Sequence, residues 1–201
     1  MAINLAKGQK ISLKKENGSD LSKFCIGANW GAIAGKGFFG GDKKIAVDLD
    51  LSAGIFDANK NPVGTIYFGN LQMAGIKHSG DDMTGDVDGD DGLDNEVINI
   101  DLSQIPSNVE QVVFVLNSFK NQDFATIPFA SIRLYEGTPD RVNNVVATYN
   151  VASDSKFAGY VSMILGKLYK RNGEWKFSAI GDPSKDKKLE QTLKTVQEKY
   201  L

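Results

Sequence analysis

The sequence predicts an all-β fold, an antiparallel β-sandwich of two sheets that ends in a short C-terminal helix. Most of the 201 residues belong to short segments rich in Val, Ile, Phe and Tyr, several of which alternate polar and apolar side chains as half-buried strands do. Asn172-Gly173 separates two such segments and is typical of a two-residue hairpin. The 21 glycines and five prolines indicate many turns, and about ten strands at this spacing favour a sandwich.

The predicted strands follow one another along the chain with short connections. In the segment VDLDLS, Val47, Leu49 and Leu51 face one way, whereas Asp48 and Asp50 face the other. Taken alone, the two aspartates are ordinary solvent-facing residues, unless another part of the chain covers that face. The clearest strand segments are residues 23–30, 44–52, 96–102, 110–119, 130–137, 145–151, 160–170 and 174–181.

The C-terminal segment changes from the strand pattern to a helical one. We therefore expect a β-sandwich domain over residues 1–183 and an amphipathic helix over residues 184–201, with Ser184 or Asp186 as its N-cap. Its apolar stripe consists of Leu189, Leu193, Val196 and Tyr200. We expect this stripe to pack on the sandwich or extend from it; docking to a partner protein is the alternative.

Composition excludes several classes of protein. Cys25 is the only cysteine, so an intramolecular disulfide and a cysteine-rich zinc site are excluded, and we expect a buried, inert thiol. The N-terminus lacks the features of a signal peptide, and no apolar run reaches the ~18 residues of a membrane span, so we expect a cytoplasmic protein without membrane insertion. The basic cluster at residues 185–188 is too short to indicate nucleic-acid binding.

The stretch HSGDDMTGDVDGDDGLDNEV, residues 78–97, concentrates negative charge. It has eight carboxylates and no Lys or Arg, although the rest of the chain has more basic than acidic residues. Two carboxylates ~6 Å apart repel each other by ~3 kcal/mol at an effective dielectric constant of ~20. We therefore expect a bound cation to neutralise the loop. The eight residues are Asp81, Asp82, Asp86, Asp88, Asp90, Asp91, Asp94 and Glu96.

The residue types in this loop favour Ca²⁺. Calcium takes six to eight oxygen ligands, and the interleaved glycines permit tight turns that direct oxygens inward, whereas zinc and copper would require His or Cys. The spacing is not that of an EF-hand, because Asp91 stands where that loop requires Gly and Val97 where it requires Glu. His78, the only histidine, lacks a nucleophile motif around it, and we expect a structural role for it.

The acidic loop resembles the signature of the TerD family, the tellurite-resistance and general-stress proteins of bacteria. The resemblance extends along nearly the whole chain: INLAKGQKISL is similar to the family's opening strands, IAVDLDLS to its acidic strand, INIDLSQIP to the segment after the loop and EWKFSAIG to its closing strand. It implies a sandwich of two sheets that binds calcium, with more than one ion expected.

The resemblance also implies a set of metal ligands. The loop here is four residues longer than the commoner family pattern, so Asp90-Asp91 and Asp94-Asn95 with Glu96 each match the terminal acidic group, and both alternatives stay open. Asp48 and Asp50 on the neighbouring strand are assigned more loosely than the loop residues. The implied ligands are Asp48, Asp50, Asp81, Asp82, Thr84, Asp86, Asp88, Asp90, Asp91 and Glu96.

The resemblance implies a non-catalytic, calcium-binding stress-response protein linked to resistance to tellurite and other chemical stress. The expected partners are calcium ions and other stress-resistance proteins of the same system. Two alternatives belong to other classes: a metal-dependent phosphoester hydrolase, for which no base or phosphate-binding motif is evident, and a calcium-regulated protein-interaction module.

Overall fold

The computed structural model describes residues 3–4, 6–15, 17–36, 41–150 and 155–201, and its strands form two large sheets that enclose one main core. The seven-stranded sheet contains, in spatial order, β1 (Ile3–Asn4), β13 (Arg141–Asn150), β12 (Ala130–Thr138), β3 (Lys23–Trp30), β10 (Glu96–Asp101), β9 (Ile76–His78) and β8 (Gln72–Met73). The six-stranded sheet contains β2 (Lys10–Ser12), β15 (Glu174–Ser184), β14 (Ser162–Arg171), β11 (Gln111–Ser118), β6 (Leu49–Phe56) and β7 (Pro62–Ile66).

The remaining elements are short. β4 (Ile33–Lys36) and β5 (Asp42–Ile45) form a separate hairpin, two 3₁₀ turns cover Phe124–Thr126 and Ser155–Phe157, and the helix α1 spans Leu189–Lys199. Neighbouring strands are antiparallel, except that β1 runs parallel to β13. The predicted all-β sandwich with a C-terminal helix is therefore confirmed. No helix in the described ranges is long and apolar enough to cross a membrane.

The hairpin between β14 and β15 confirms the interpretation of the Asn-Gly dipeptide. Asn172 and Gly173 both have positive φ, 54° and 79°, and connect Arg171 to its register partner Glu174. A two-residue turn of this kind matches the right-handed twist of the flanking strands, and Asn and Gly tolerate the left-handed backbone conformation that it requires.

The predicted strand over residues 44–52 is wrong in one respect, because its two halves belong to different sheets and residues 46–48 between them are not a strand. β5 ends at Ile45 and β6 begins at Leu49. Between them, the N–H of Val47 donates to Thr84 O (3.0 Å) and the N–H of Asp48 donates to Gln122 Oε1 (3.1 Å). Residues from distant parts of the chain thus accept the backbone hydrogen bonds of this segment. The local alternation of polar and apolar residues cannot predict such long-range bonds.

Both faces of the central strands are covered. On β6, Leu49, Leu51 and Ala53 belong to the main core between the sheets, as the alternation predicts. The opposite face is buried as well, since Asp48 and Asp50 are only 4% and 8% exposed. The expectation that these aspartates are ordinary solvent-facing residues is therefore wrong, because the acidic loop and the segment after β11 cover that end of the strand.

Helix α1 covers another part of the same outer face. Val196 is fully buried in a second apolar cluster with Val113, Val115 and Ile164, so the apolar stripe of the helix lies against the six-stranded sheet. A Cβ on Gly54 would lie 2.7 Å from the Leu193 side chain, so the glycine permits this close approach. The division of the chain at residue 183 stays a prediction.

The helix begins later than the sequence predicts. β15 continues to Ser184, and the N-cap of α1 is Lys188, whose side chain makes no capping hydrogen bond. The predicted caps have other partners: the hydroxyl of Ser184 donates to Asp186 Oδ2 (2.5 Å), and the same carboxylate oxygen accepts from Thr195 Oγ1 (2.8 Å). The prediction of Ser184 or Asp186 as N-cap is wrong, because the hydrogen bonds of both residues connect the end of β15 to the middle of α1.

Candidate metal centre in the acidic loop

The acidic loop, residues 79–95, joins β9 to β10 and is anchored to the end of β3 by its backbone. The N–H of Asp86 donates to Trp30 O (3.0 Å), and the N–H of Ala32 donates to Asp86 O (3.3 Å). Between these anchors Gly85 has a φ of 65°, and a Cβ there would lie 2.5 Å from the Trp30 ring. Glycine is therefore required where the loop crosses the buried tryptophan.

Asp82 organises the first turn of the loop. Its Oδ1 accepts hydrogen bonds from the N–H of Thr84 (2.8 Å), the hydroxyl of Thr84 (2.9 Å) and the N–H of Gly85 (3.0 Å). Burial opposes the charged form of Asp82, but these hydrogen bonds outweigh it and lower the pKa of the carboxyl. Asp82 is thus an ionised residue whose oxygens hold the backbone of the loop.

The side chains of Glu96 and His78 form the hydrogen bonds with β6 that a neighbouring strand would otherwise form at this edge. β7 ends opposite Ala53, and beyond it the N–H of Leu51 donates to Glu96 Oε2 (2.7 Å) while Leu51 O accepts from His78 Nε2 (2.9 Å). The N–H of Gly80 donates to His78 Nδ1 (3.0 Å), so the imidazole carries its proton on Nε2. The expected structural role of His78 is confirmed.

Glu96 also connects this edge to the loop. Its Oε1 accepts the N–H of Asp82 (3.1 Å), and the side chain is completely buried. Burial raises the pKa of Glu96, although the nearby His78, with Nε2 3.4 Å from Glu96 Oε2, and the hydrogen bond from the N–H of Leu51 act in the opposite direction. Both carboxylate oxygens therefore bond to the two backbone segments that Glu96 holds together.

Arg133 supplies the cation that the neighbouring sequence lacks. This residue of β12 donates from Nε to Asp94 Oδ2 (2.8 Å) and from Nη2 to Gly92 O (2.7 Å). The Asp94 side chain is completely buried against Gly27, where any Cβ would overlap the carboxylate. Burial raises the pKa of Asp94 to about 6, and the hydrogen bond and charge of Arg133 counteract part of that increase.

Two groups of carboxylates are close enough to share a cation. Asp48 and Asp50 meet Asp81, with one oxygen of each within 4.8 Å of the others, and Lys120 Nζ lies 3.1 Å from Asp48 Oδ2. Burial, followed by the charges of Glu96, Asp48 and Asp81, raises the pKa of Asp50 to about 7. Burial and then the charge of Asp48 raise the pKa of Asp81 as well. We call these three residues the strand group.

The second group, which we call the loop group, contains Asp86, Asp90 and Asp91, also within 4.8 Å of one another. Asn95 Nδ2 donates to Asp86 Oδ1 (2.8 Å), and Asn29 Nδ2 donates to Asp90 Oδ1 (3.0 Å). Burial raises the pKa of Asp86, and the charges of Asp91 and Asp90 increase it further, against the effect of the Asn95 hydrogen bond. Within the described residues, two buried oxygens lack a hydrogen-bond partner here, Asp86 Oδ2 and Asn29 Oδ1.

The structure brings six of the ten predicted ligands into these two groups: Asp48, Asp50, Asp81, Asp86, Asp90 and Asp91. Asp82 and Glu96 are close by, but their carboxylates accept backbone N–H groups. The hydroxyl of Thr84 donates to Asp82 Oδ1, and Asp88 is exposed outside both groups. Their role as ligands stays a prediction. Sequence reasoning missed Asn29 and Arg133, since each occupies the outward position of a strand whose neighbour in space is unknown from the sequence.

The buried acids make a specific pH dependence expected. Asp50 and Asp94 have pKa values raised to about 7 and about 6 from 3.8, so the stability that they contribute is complete below pH ~4 and is lost as the pH rises through those values. In EDTA, the melting temperature should therefore be several degrees higher at pH 5 than at pH 8. Asp50→Asn should reduce this difference. An equal or larger difference in the variant would contradict the contribution of Asp50.

The fold and this site together define a class: a β-sandwich in which an acidic, glycine-containing loop and one strand end collect carboxylates into two groups that could hold metal ions. A family model described as the TerD domain matches residues 1–195, and the chain belongs to this family.

Relatives and solved structures agree with this assignment. The chain is 38% identical to the stress response protein SCP2 of Bacillus subtilis, over 96% of this chain and 98% of that protein. It is 34% identical to the tellurium resistance protein TerZ of Serratia marcescens, over 89% of each. A crystal structure of a telluride resistance protein (TerD) homologue from Streptomyces coelicolor shares the fold, with a TM-score of 0.63 over 83% of this chain and 92% of that chain at 14% identity.

Proposed function

We propose that this protein is a calcium-binding stress-response protein of the bacterial cytoplasm, which contributes to resistance against tellurite and other chemical stress without catalysis. Its relatives are named for tellurium resistance and stress response rather than for an enzymatic activity. The observation that carries the metal proposal is Asp86 Oδ2, a buried carboxylate oxygen without a hydrogen-bond partner that lies beside Asp90 and Asp91.

The donor set fits calcium. The acidic side chains of both groups offer only oxygen, the donor that Ca²⁺ prefers, and the imidazole of His78 is already bonded to Leu51 O and to the N–H of Gly80. An unpartnered buried carboxylate oxygen costs ~1–3 kcal/mol, which a cation would recover. The presence of two groups supports more than one ion. The strand group would contribute Asp48, Asp50 and Asp81, and the loop group would contribute Asp86, Asp90 and Asp91.

Calcium binding would order the loop and stabilise the folded protein. An ion that binds only the folded state stabilises it by ~2.7 kcal/mol at a free concentration of 100 times its Kd. Such a stabilised loop, displayed on the outer face of the seven-stranded sheet, is the surface on which we propose that other proteins of the same resistance system dock.

The test is thermal unfolding at pH 7.5 with and without calcium. We expect excess Ca²⁺ to raise the melting temperature by ~5–10 °C over the protein in EDTA, from the mass-action stabilisation of a protein of this size. Isothermal calorimetry should show saturable binding, and an equal excess of Mg²⁺ serves as the control. The absence of both a thermal shift and a heat of binding would refute the proposal.

The calcium affinities of two alanine variants in the loop distinguish a predicted ligand from a nearby aspartate outside the groups. Asp90→Ala should weaken calcium binding at the loop group by ~10-fold or more, because it removes one of the three grouped carboxylates. Asp88→Ala removes the same charge from the same loop but lies outside both groups, so it should change the affinity by less than ~3-fold. Equal losses of affinity in both variants would show that calcium binding depends on the net charge of the loop and not on the three carboxylates of the loop group.

A further inference from the structure

A cavity of about 510 Å³ lies on the outer face of the six-stranded sheet, beside the start of α1. Its volume is within the range of small-molecule sites in proteins. The residues that matter for its chemistry are Asp50, Ser52, Phe68, Asn117, Phe119 and Lys188. Asp50, Ser52 and Asn117 belong to paired strands, with Asp50 directly opposite Asn117 in the register of β6 and β11.

Two buried polar atoms in this cavity have no partner among the described residues. Ser52 and Asn117 are 1% and 5% exposed, yet Ser52 Oγ and Asn117 Oδ1 make no hydrogen bond. The side-chain nitrogen of Asn117 fixes the orientation of the amide, since Nδ2 donates to Thr192 Oγ1 (2.8 Å). Buried polar groups are nearly always hydrogen-bonded, so these two atoms indicate a ligand that presents a donor. Asp50 favours a positively charged donor at this end.

The start of α1, at another part of the cavity wall, attracts negatively charged groups. The helix has 11 residues and its N-cap Lys188 makes no side-chain capping bond. The N–H of Gln191 already donates to Lys188 O (3.0 Å), which leaves the N–H groups of Leu189 and Glu190 for a ligand. Lys187 and Lys188 line the same cavity. A helix N-terminus with two lysines favours an acidic group.

The wall of the cavity is aromatic. Phe68 and Phe119 face each other edge to face with ring centroids 6.0 Å apart, and Phe119 is 60% exposed despite its apolar ring. Leu193 of α1 also lines the cavity. Such a wall suits a flat apolar body.

We propose that this cavity binds a small aromatic zwitterion, a molecule with an amine and a carboxylate on either side of an aromatic ring. The amine meets Asn117 Oδ1, Ser52 Oγ and Asp50. The carboxylate meets the start of α1, and the ring packs on Phe68 and Phe119. The inference does not depend on calcium, and its test is made in EDTA so that no ion holds Asp50.

The probe is 4-(aminomethyl)benzoate, titrated into ¹⁵N-labelled protein and followed by two-dimensional NMR. We expect saturable shifts of the amides of Ser52, Asn117 and Leu189. Benzylamine and benzoate, which each lack one charged group, should bind at least ~10-fold more weakly, because each leaves one end of the cavity unpaired. Shifts that are absent from these amides, or equal affinity for all three compounds, would overturn the proposal.

Three variants complete the test. Lys188→Ala and Phe119→Ala should each weaken the binding of 4-(aminomethyl)benzoate by ~5-fold or more. Lys194→Ala is the matched control, since Lys194 lies on the same helix with a side chain that is 77% exposed and does not line the cavity. Because the Phe119 and Lys188 side chains project from the surface, these variants should stay folded, as the NMR spectrum verifies. Equal affinity in all three variants would refute the assignment of the cavity.

Discussion

Replacing Arg133 with methionine should destabilise the protein by ~3–5 kcal/mol, because this residue of β12 forms a buried ion pair with the acidic loop. The reason is Asp94, whose carboxylate is completely buried and receives the Arg133 Nε–H at 2.8 Å. Removing one partner of a buried ion pair leaves an uncompensated charge in a low-dielectric environment. The same substitution also removes the hydrogen bond to Gly92 O that holds the loop.

Equilibrium unfolding in guanidinium chloride would measure this loss. Arg171→Met is the matched control, because Arg171 is an exposed arginine at the end of a strand and should change the free energy of unfolding by less than ~0.5 kcal/mol. The double variant Arg133→Met with Asp94→Asn should recover part of the stability, since a neutral amide replaces the unpaired charge. A single variant as stable as the wild-type protein would contradict the importance of the pair.

Glu96→Ala should cost ~3–5 kcal/mol for a different reason. The carboxylate accepts the N–H groups of Leu51 and Asp82, so its removal leaves one buried and one partly buried donor unpaired and opens a cavity. It also releases the connection between the edge of β6 and the acidic loop. Calcium binding should therefore weaken together with stability, although Glu96 lies outside both carboxylate groups.

A graded pair of controls tests this interpretation. Glu96→Gln keeps one accepting oxygen and the side-chain volume, so it should cost roughly half as much. Glu198→Ala removes a glutamate whose side chain is 59% exposed and should be nearly neutral. Hydrogen exchange should show faster exchange at Leu51 and Asp82 in the alanine variant. Unchanged protection of both amides would show that Glu96 does not hold this edge.

Much of the fold was predictable because local patterns agree with the tertiary structure. The segment KFCIGANW is a strand over the predicted residues 23–30, since its alternate apolar side chains enter the core. The hairpin at Asn172-Gly173 is also where the dipeptide predicts it. The exceptions lie where long-range contacts decide: residues 46–48 bond to Thr84 and to Gln122 rather than to a strand, and α1 starts at Leu189 instead of following a local cap.

The candidate site was predictable only in outline. The density of acids and glycines between residues 81 and 96 is a local property, and it indicated a metal site directly. The pairing of Asp48 and Asp50 with Asp81 is not local, because it depends on how the loop crosses the end of β6. Neither Asn29 nor Arg133 carries a local signal, since a polar residue at an outward strand position is usually solvated.

The sequence by itself therefore determined the sandwich, the acidic loop and the family, because these depend on side-chain periodicity, charge density and motif. Only the tertiary structure decided which acids share a site and which serve as scaffold. Asp82 and Glu96 hold backbone, Asp94 pairs with Arg133, and the remaining grouped acids have oxygens free for an ion. The physical reason is that a carboxylate's role depends on the donors within ~3 Å of it, and most of those donors come from strands far away in the chain.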